Sequence, residues 1–95
     1  MYNSVIAGYS RSPFAMANKG KLIEVKPVNL LAQVIKNLVS QSKINPIEIE
    51  DVVIGCAFQV GEQCFNIGRL VTFLSDLDIR VPGMSVDRWC GSSME

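Results

Sequence analysis

The sequence predicts an α/β fold with a mostly parallel sheet. Three short apolar runs alternate with two segments whose apolar residues recur at helical spacing, in the order strand, helix, strand, helix, strand. Parallel strands need crossover connections, and the segments between the apolar runs are long enough to supply them. Ninety-five residues suffice for one small domain and leave no room for a second substantial core.

The first half of the chain predicts one strand and one helix. Ser4 to Tyr9 is an apolar run, typical of a buried strand, that a Pro-containing segment ends. Residues 11 to 26 lack clear periodicity and indicate a surface loop. Pro27 then opens a helix that extends to about Ser42, because proline favours the first helical position. Its apolar face holds Leu31, Val34, Ile35 and Leu38.

The second half predicts a further strand and helix. A single turn over residues 47 to 50 leads into a second buried strand, Asp51 to Gly55. A loop rich in Gly and Gln follows, from Cys56 to Phe65. Asn66 is the predicted N-cap of the second helix, which ends at Ser75-Asp76. The apolar face of that helix holds Ile67, Leu70, Val71 and Leu74.

A cysteine follows the third predicted strand, Gly83 to Asp87. We expect Cys90 within the first turn of a helix that begins near Trp89 or Gly91. The unpaired amides of such a turn and the positive end of the helix dipole favour the thiolate, which is the nucleophilic form. Ligands of open parallel sheets meet the carboxyl ends of the strands. The sequence therefore predicts Cys90 as a catalytic nucleophile.

Composition narrows the function classes. Nine Lys and Arg balance nine Asp and Glu, so the chain has no basic field for nucleic acid or anionic membranes. Cys56, Cys64 and Cys90 are odd in number and form no Cys-x-x-Cys, which favours reduced thiols in the cytoplasm. No apolar segment is long enough to predict a leader or a membrane span. The chain has no histidine, and neither its cysteine spacing nor its glycine spacing predicts a metal or dinucleotide site.

Three stretches carry a family resemblance. They are Ser10 to Ala15 with Lys19 to Leu22, Gly55 to Gln63 with Asn66 to Arg69, and Val86 to Glu95. In order and spacing they resemble the thiolases. The residues of the last stretch that match the family's nucleophile motif are Val86, Cys90, Gly91, Ser92, Ser93 and Met94. Asp87 departs from the motif, because it stands where the family usually has Asn, and its negative charge opposes thiolate formation at Cys90.

The resemblance implies a fold and a reaction. Residues 1–95 would be an incomplete N-terminal part of a three-layer α/β/α thiolase domain. Cys90 would attack an acyl-CoA thioester and carry the acyl group, in thiolytic cleavage of 3-ketoacyl-CoA or the reverse condensation of acetyl-CoA, with its own backbone N–H helping to form the oxyanion hole. The second and third motifs look more like degradative than biosynthetic thiolases.

The resemblance also implies which catalytic residues this part of the chain lacks and which substrates and partners it has. Thiolase chemistry uses two histidines and a distal cysteine, none of which the family places in this part of the chain. The isolated chain is therefore expected to be inactive. CoA and acyl-CoA are the expected substrates, with no metal and no redox cofactor, and the complete enzyme is expected to be a homodimer or homotetramer.

Two other interpretations stay open. One is a non-catalytic truncated fragment or interaction remnant, and the other is a fragment of a ketosynthase-like condensing enzyme, which also uses a cysteine as acyl carrier. At individual positions, packing is the main interpretation for Cys56 and a partly covered thiol for Cys64. Two interpretations apply to Arg11 and Arg69: they bind CoA phosphate or a partner carboxylate, or they are ordinary ion-paired or solvated side chains. Arg88 and Asp87 are expected to pair with later parts of the fold.

Overall fold

The chain folds into two helices and two strands in alternating order. The structure, a computed structural model, describes residues 3–95. Its main elements are α1 (Pro27–Ser42), β1 (Val52–Gly55), α2 (Ile67–Leu74) and β2 (Gly83–Val86). Single 3-10 turns lie at Pro46–Glu48, Gly61–Gln63 and Ser92–Met94. The expected bounds of α1 are confirmed, and so is a turn before β1.

The two strands form a parallel sheet, as the sequence predicts. The register pairs Val52 with Gly83 at one end and Gly55 with Val86 at the other. One further hydrogen bond extends the pairing beyond the strand ends, from the N–H of Cys56 to the carbonyl oxygen of Val86 at 2.9 Å. The carboxyl ends of both strands therefore lie side by side, and the chain that leaves each of them starts at the same edge of the sheet.

Two glycines allow α2 to lie directly on the sheet. A Cβ at Gly68 would collide with the backbone carbonyl of Met84, and a Cβ at Gly83 would collide with the carbonyl oxygen of Gly68. Helix and strand backbones are thus in contact here, where any larger side chain would hold them apart. This contact fixes the position of α2 against β2 and so of the segment that β2 leads into.

Asn66 caps α2 and also ties it to β2. Its Oδ1 accepts hydrogen bonds from the N–H of Arg69 at 3.3 Å and from the hydroxyl of Ser85 at 3.0 Å. Its Nδ2 donates to the carbonyl oxygen of Gly83 at 3.2 Å. The residue has a φ of 58°, a left-handed conformation that asparagine tolerates better than most residues. The predicted N-cap is confirmed, with an additional link to the sheet.

Both helices cover the same face of the sheet. Gly68 of α2 donates its N–H to Ser85, and residues of α1 line an apolar groove with Val52 and Ile54, all on that face. On the other face the register partners Val53 and Met84 are 48% and 44% exposed. The expectation that the strands are buried is therefore wrong for this face. Within residues 3–95 the protein supplies one helical layer and one sheet layer.

The first predicted strand is not a strand. Residues 4–9 have no regular structure, and Val5 and Ile6 are 82% and 94% exposed. The segment that follows runs beside α1, where Asn37 Nδ2 donates to the hydroxyl of Ser10 at 3.1 Å. An apolar run becomes a strand only when a neighbour accepts its backbone hydrogen bonds, and residues 4–9 form no such ladder.

The core is small and the surface correspondingly large. Its buried apolar residues are Ala32, Cys56, Ile67, Val71 and Val81. The accessible surface is 7660 Å², whereas a compact monomer of this mass has about 5400 Å². The radius of gyration of 14.0 Å likewise exceeds the roughly 12.4 Å of a compact chain of this length. No helix among residues 3–95 combines the length and the apolar character needed to cross a membrane.

Candidate active site

Cys90 lies on an exposed turn beyond the carboxyl end of β2. Its thiol is free and exposed to solvent. The helical turn that follows comprises only Ser92–Met94, so Cys90 precedes it by two residues. The expected position within the first turn of a helix beginning near Trp89 or Gly91 is therefore wrong. The physical reason is the φ of 51° at Trp89, a left-handed conformation that cannot start a right-handed helix.

The turn that holds Cys90 is built around one buried hydroxyl. Ser92 is 5% exposed. Its Oγ accepts from the N–H of Arg88 at 2.8 Å and donates to the carbonyl oxygen of Trp89 at 2.7 Å. Oδ1 of Asp87 accepts from the N–H of Trp89 at 2.9 Å. These bonds connect both sides of the turn across Cys90, so that the thiol is carried on a closed loop of backbone.

A glycine at the end of β1 lets this turn sit on the sheet edge. A Cβ at Gly55 would collide with the backbone between Ser92 and Ser93. The absence of a side chain thus permits backbone contact between the two segments. The turn around Cys90 therefore packs against the end of β1, and the second and third family stretches meet at this place in the fold.

Charges beside Cys90 are nearly balanced. The guanidinium of Arg88 forms an ion pair with the carboxylate of Glu95, with 2.9 Å between Nε and Oε2. Arg88 thus pairs with a later residue of the chain, as the sequence analysis expects. Asp87 remains as a negative group at the base of the turn, with Oδ1 bonded to the backbone of Trp89. A three-residue helical turn sums few peptide dipoles, so it contributes little toward a thiolate.

Two aromatic side chains lie beside the site, and the sequence analysis did not identify them. The rings of Phe58 and Trp89 meet edge to face, with centroids 6.4 Å apart and planes at 88°. Phe58 belongs to the loop after β1, and Trp89 directly precedes Cys90. The signal in the sequence was one large aromatic residue in each of two loops that leave neighbouring parallel strands at the same edge.

The other two cysteines have structural surroundings. Cys56 is buried, and its thiol donates to the carbonyl oxygen of Phe58 at 3.4 Å. Cys64 is half-buried, and its thiol donates to the carbonyl oxygen of Gly61 at 2.8 Å. Both contacts stabilise the loop between β1 and α2. The packing interpretation of Cys56 and the partly covered thiol at Cys64 are confirmed.

The two arginines outside the cysteine turn are engaged within the chain. Arg69 donates through Nη1 to the carbonyl oxygen of Val81 at 2.6 Å, and its guanidinium lies 4.4 Å from the ring centroid of Phe73. Arg11 lies over the ring of Phe14 at 5.4 Å. Arg69 therefore connects α2 to the segment before β2, which is an architectural role.

The fold and the turn define an α/β domain that presents an exposed thiol at the carboxyl edge of a parallel sheet. A family model described as the thiolase N-terminal domain matches residues 4–95, and the chain belongs to the thiolase family. The resemblance seen in the sequence motifs is thereby confirmed.

Named relatives agree with this assignment. The chain is 40% identical over 96 residues to a 3-ketoacyl-CoA thiolase of Colwellia psychrerythraea, covering all of this chain and 25% of that protein. It is 37% identical over 91 residues to a 3-ketoacyl-CoA thiolase of Acinetobacter baylyi, covering 96% of this chain and 23% of the relative. The chain thus spans about a quarter of the length of the curated relatives it matches.

A solved structure shares the fold. The crystal structure of Bacillus anthracis acetyl-CoA acetyltransferase superimposes with a TM-score of 0.71 at 28% identity. The match covers 79% of this chain and 19% of that one. The predicted fold class, a partial thiolase-like α/β domain with a parallel sheet, is confirmed.

Proposed function

We propose that this chain supplies the nucleophile of a thiolase, with Cys90 as the residue that carries the acyl group. The observation that supports this most is the exposed thiol of Cys90 at the carboxyl edge of the sheet, inside the stretch that matches the family's nucleophile motif. The closed turn through Ser92 holds the thiol in place while leaving it open to a substrate. A nucleophile needs both properties.

The proposed step is an exchange of thioesters. The Cys90 thiolate attacks the thioester carbonyl of an acyl-CoA, the new C–S bond forms as the C–S bond to CoA breaks, and the departing CoA thiolate takes up the proton that Cys90 lost. With a 3-ketoacyl-CoA the attack falls on the 3-keto carbon. The C2–C3 bond then breaks, C2 takes up a proton to give acetyl-CoA, and a second CoA thiol removes the shortened acyl group from Cys90.

The degradative direction is the proposed one. The relatives in Colwellia psychrerythraea and Acinetobacter baylyi are named 3-ketoacyl-CoA thiolases, which supports it. The solved relative is named an acetyl-CoA acetyltransferase, which favours condensation as the alternative direction. CoA and acyl-CoA as substrates, a homodimer or homotetramer for the complete enzyme, and a cytoplasmic location belong to the same proposal. The expectation that no metal or redox cofactor takes part stays a prediction of the resemblance.

The acid and base groups of this reaction are proposed to come from outside residues 1–95. The chain has no histidine, and each acid or base role typically contributes about 10²- to 10⁴-fold to the rate. We therefore expect the isolated chain to accept an acyl group slowly and to complete no catalytic cycle. Multiple turnovers of acetoacetyl-CoA by the purified 95-residue chain would contradict this expectation.

Acyl transfer to the chain tests the proposal directly. The chain is incubated with acetyl-CoA, digested, and each cysteine-containing peptide is followed by mass spectrometry. We expect an acetyl group on Cys90, with Cys64 as the internal reference thiol and Cys90→Ala as the control. Labelling of Cys64 at the same rate as Cys90, or labelling that persists in the variant, would contradict the assignment of the nucleophile.

A non-catalytic interaction fragment is the second candidate. It is favoured by the large apolar surface of the chain and by the lack of histidine. In such a fragment, exposure alone sets the reactivity of Cys90, so the folded chain should acylate Cys90 no faster than the same chain unfolded in urea. Labelling in the presence and absence of urea therefore separates the two candidates.

A further inference from the structure

Phe58 and Trp89 form an exposed aromatic pair at the carboxyl edge of the sheet, beside Cys90. Their rings meet edge to face at 6.4 Å, while the residues remain 64% and 73% exposed. Large aromatic residues usually lie in cores or at binding surfaces, because their apolar area is costly to leave in water. Other aromatic residues, such as Phe14 and Phe65, are exposed as well, so the feature that distinguishes this pair is its place beside the proposed nucleophile.

The backbone holds Trp89 in an unusual conformation. Its φ is 51°, a left-handed backbone conformation that is sterically unfavourable for a bulky residue. Asp87 accepts from its N–H at 2.9 Å and Ser92 donates to its carbonyl oxygen at 2.7 Å, so that the strain is maintained by specific bonds. Strained residues of this kind collect at functional sites, where they fix a side chain in a required direction.

Phe58 is held in a comparable way. Its carbonyl oxygen accepts from Nε2 of Gln63 at 2.9 Å and from the thiol of Cys56 at 3.4 Å. Cys56 in turn is hydrogen-bonded to Val86 at the end of β2. Both rings therefore project from anchored backbone, and the apolar surface they form is largely preorganised.

We propose that the Phe58–Trp89 pair binds the hydrocarbon part of the acyl group carried by Cys90. The inference rests on the proposed function, because it needs an acyl group on that thiol. An acyl chain bonded to Sγ begins one residue away from Trp89, and a chain of several methylenes is long enough to reach the exposed ring surface. Each methylene that leaves water strengthens binding by roughly fourfold. The substrate class is thus thioesters with acyl chains of medium or greater length, in preference to acetyl.

Chain-length dependence tests the inference. The rate of Cys90 acylation is measured by intact-mass spectrometry with acetyl-CoA and with decanoyl-CoA, below its micelle-forming concentration. We expect Trp89→Ala and Phe58→Ala each to lower the decanoyl-to-acetyl rate ratio by about fivefold or more. Trp89→Phe keeps an apolar ring and should retain most of the ratio. Phe14→Ala, an exposed aromatic residue outside the site, is the matched control and should leave the ratio unchanged.

The outcomes distinguish the inference from the proposed function. Acylation of Cys90 by both thioesters with the same ratio in parent and alanine variants overturns the inference alone. An equal loss of both rates in the variants also overturns it, because the pair would then only support the turn. Failure of both thioesters to acylate Cys90 in the parent chain overturns the proposed function and the inference, whereas failure of decanoyl-CoA alone overturns the inference. Circular dichroism of each variant identifies loss of folding. If an alanine variant does not fold, the decanoyl-to-acetyl rate ratio is compared between the parent and the conservative variants Trp89→Phe and Phe58→Leu instead.

Discussion

Asp87 combines a structural role with an electrostatic disadvantage. Its Oδ1 accepts from the N–H of Trp89 at 2.9 Å, a bond that an amide oxygen forms equally well. Its negative charge lies three residues before Cys90 and opposes the thiolate. The family's usual Asn at this position would keep the turn and remove the charge. One substitution therefore tests the electrostatic effect of Asp87 separately from its structural role.

We expect Asp87→Asn to make Cys90 more reactive. Two unit charges about 4 Å apart in water interact by about 1 kcal/mol, so a charge three residues from the thiol should slow alkylation by less than about fivefold, and its removal should speed the reaction by a similar factor at low salt. The rate with iodoacetamide at neutral pH measures the effect, and added salt should reduce the difference. Asp76→Asn removes an equal charge at the end of α2 and serves as the control. A slower reaction in Asp87→Asn would show that the carboxylate is needed for the turn.

Asp78 has the one large shift in pKa among the described residues. Two hydrogen bonds from the Arg80 side chain, at 2.8 and 3.0 Å, and one from its backbone N–H lower the pKa of Asp78 from its ordinary 3.8 to about 2. A lowered carboxyl pKa stabilises the folded chain fully above the unfolded value near 4, and this stabilisation is lost as the pH falls toward 2. We expect Arg80→Ala to raise the Asp78 midpoint toward its ordinary value in a carboxyl NMR titration. A midpoint that stays near 2 in the variant would assign the shift to another cause.

Elements with local signals agree between sequence and structure. Proline at the first position of α1 and Asn66 before α2 set the helix starts through backbone chemistry within a few residues. The predicted strand at residues 4–9 is wrong because strand pairing depends on a neighbour far along the chain, which an apolar run does not reveal. The predicted helix start near Trp89 is wrong for a related reason. The left-handed φ of Trp89 is maintained by hydrogen bonds to Asp87 and Ser92 that form only in the folded turn.

The contact of α2 with β2 predicts a strong effect at Gly68. An added methyl group would collide with the carbonyl of Met84, and backbone atoms cannot rotate away as side chains do. We expect Gly68→Ala to lower the free energy of unfolding by about 3 kcal/mol, at the upper end for overpacking. Urea unfolding followed by circular dichroism measures the loss.

Gly91→Ala is the matched control for Gly68→Ala. Its added Cβ would lie 3.5 Å from the carbonyl oxygen of Arg88, an ordinary contact, and its φ of −92° suits any residue. The stability of this variant should change by less than about 1 kcal/mol. Equal stability losses in the two variants would show that α2 does not approach β2 as closely as the structure has it.

The chain as a whole exposes more surface than a compact monomer of its mass. The excess over the expected area is on the order of 2200 Å². Part of it is the sheet face opposite the helices, where Val53 and Met84 lie side by side and half-exposed. Excess surface on this scale, with large apolar side chains exposed on one sheet face, indicates a face that another layer of protein covers. The relatives, about four times longer, are consistent with such a layer.

Placing charge on this open face should therefore change association without unfolding the chain. We expect the double variant Val53→Lys/Met84→Lys to bind less of the dye ANS and to elute closer to 10.5 kDa than the parent at equal concentration, because charged side chains stay hydrated where apolar ones associate. Gln33→Lys/Ser40→Lys adds the same charge at exposed positions of α1 and separates the effect of net charge from that of the face. If both double variants reduce ANS binding and association equally, the cause is net charge repulsion. If the sheet-face variant unfolds instead, Val53 and Met84 are already covered within the chain.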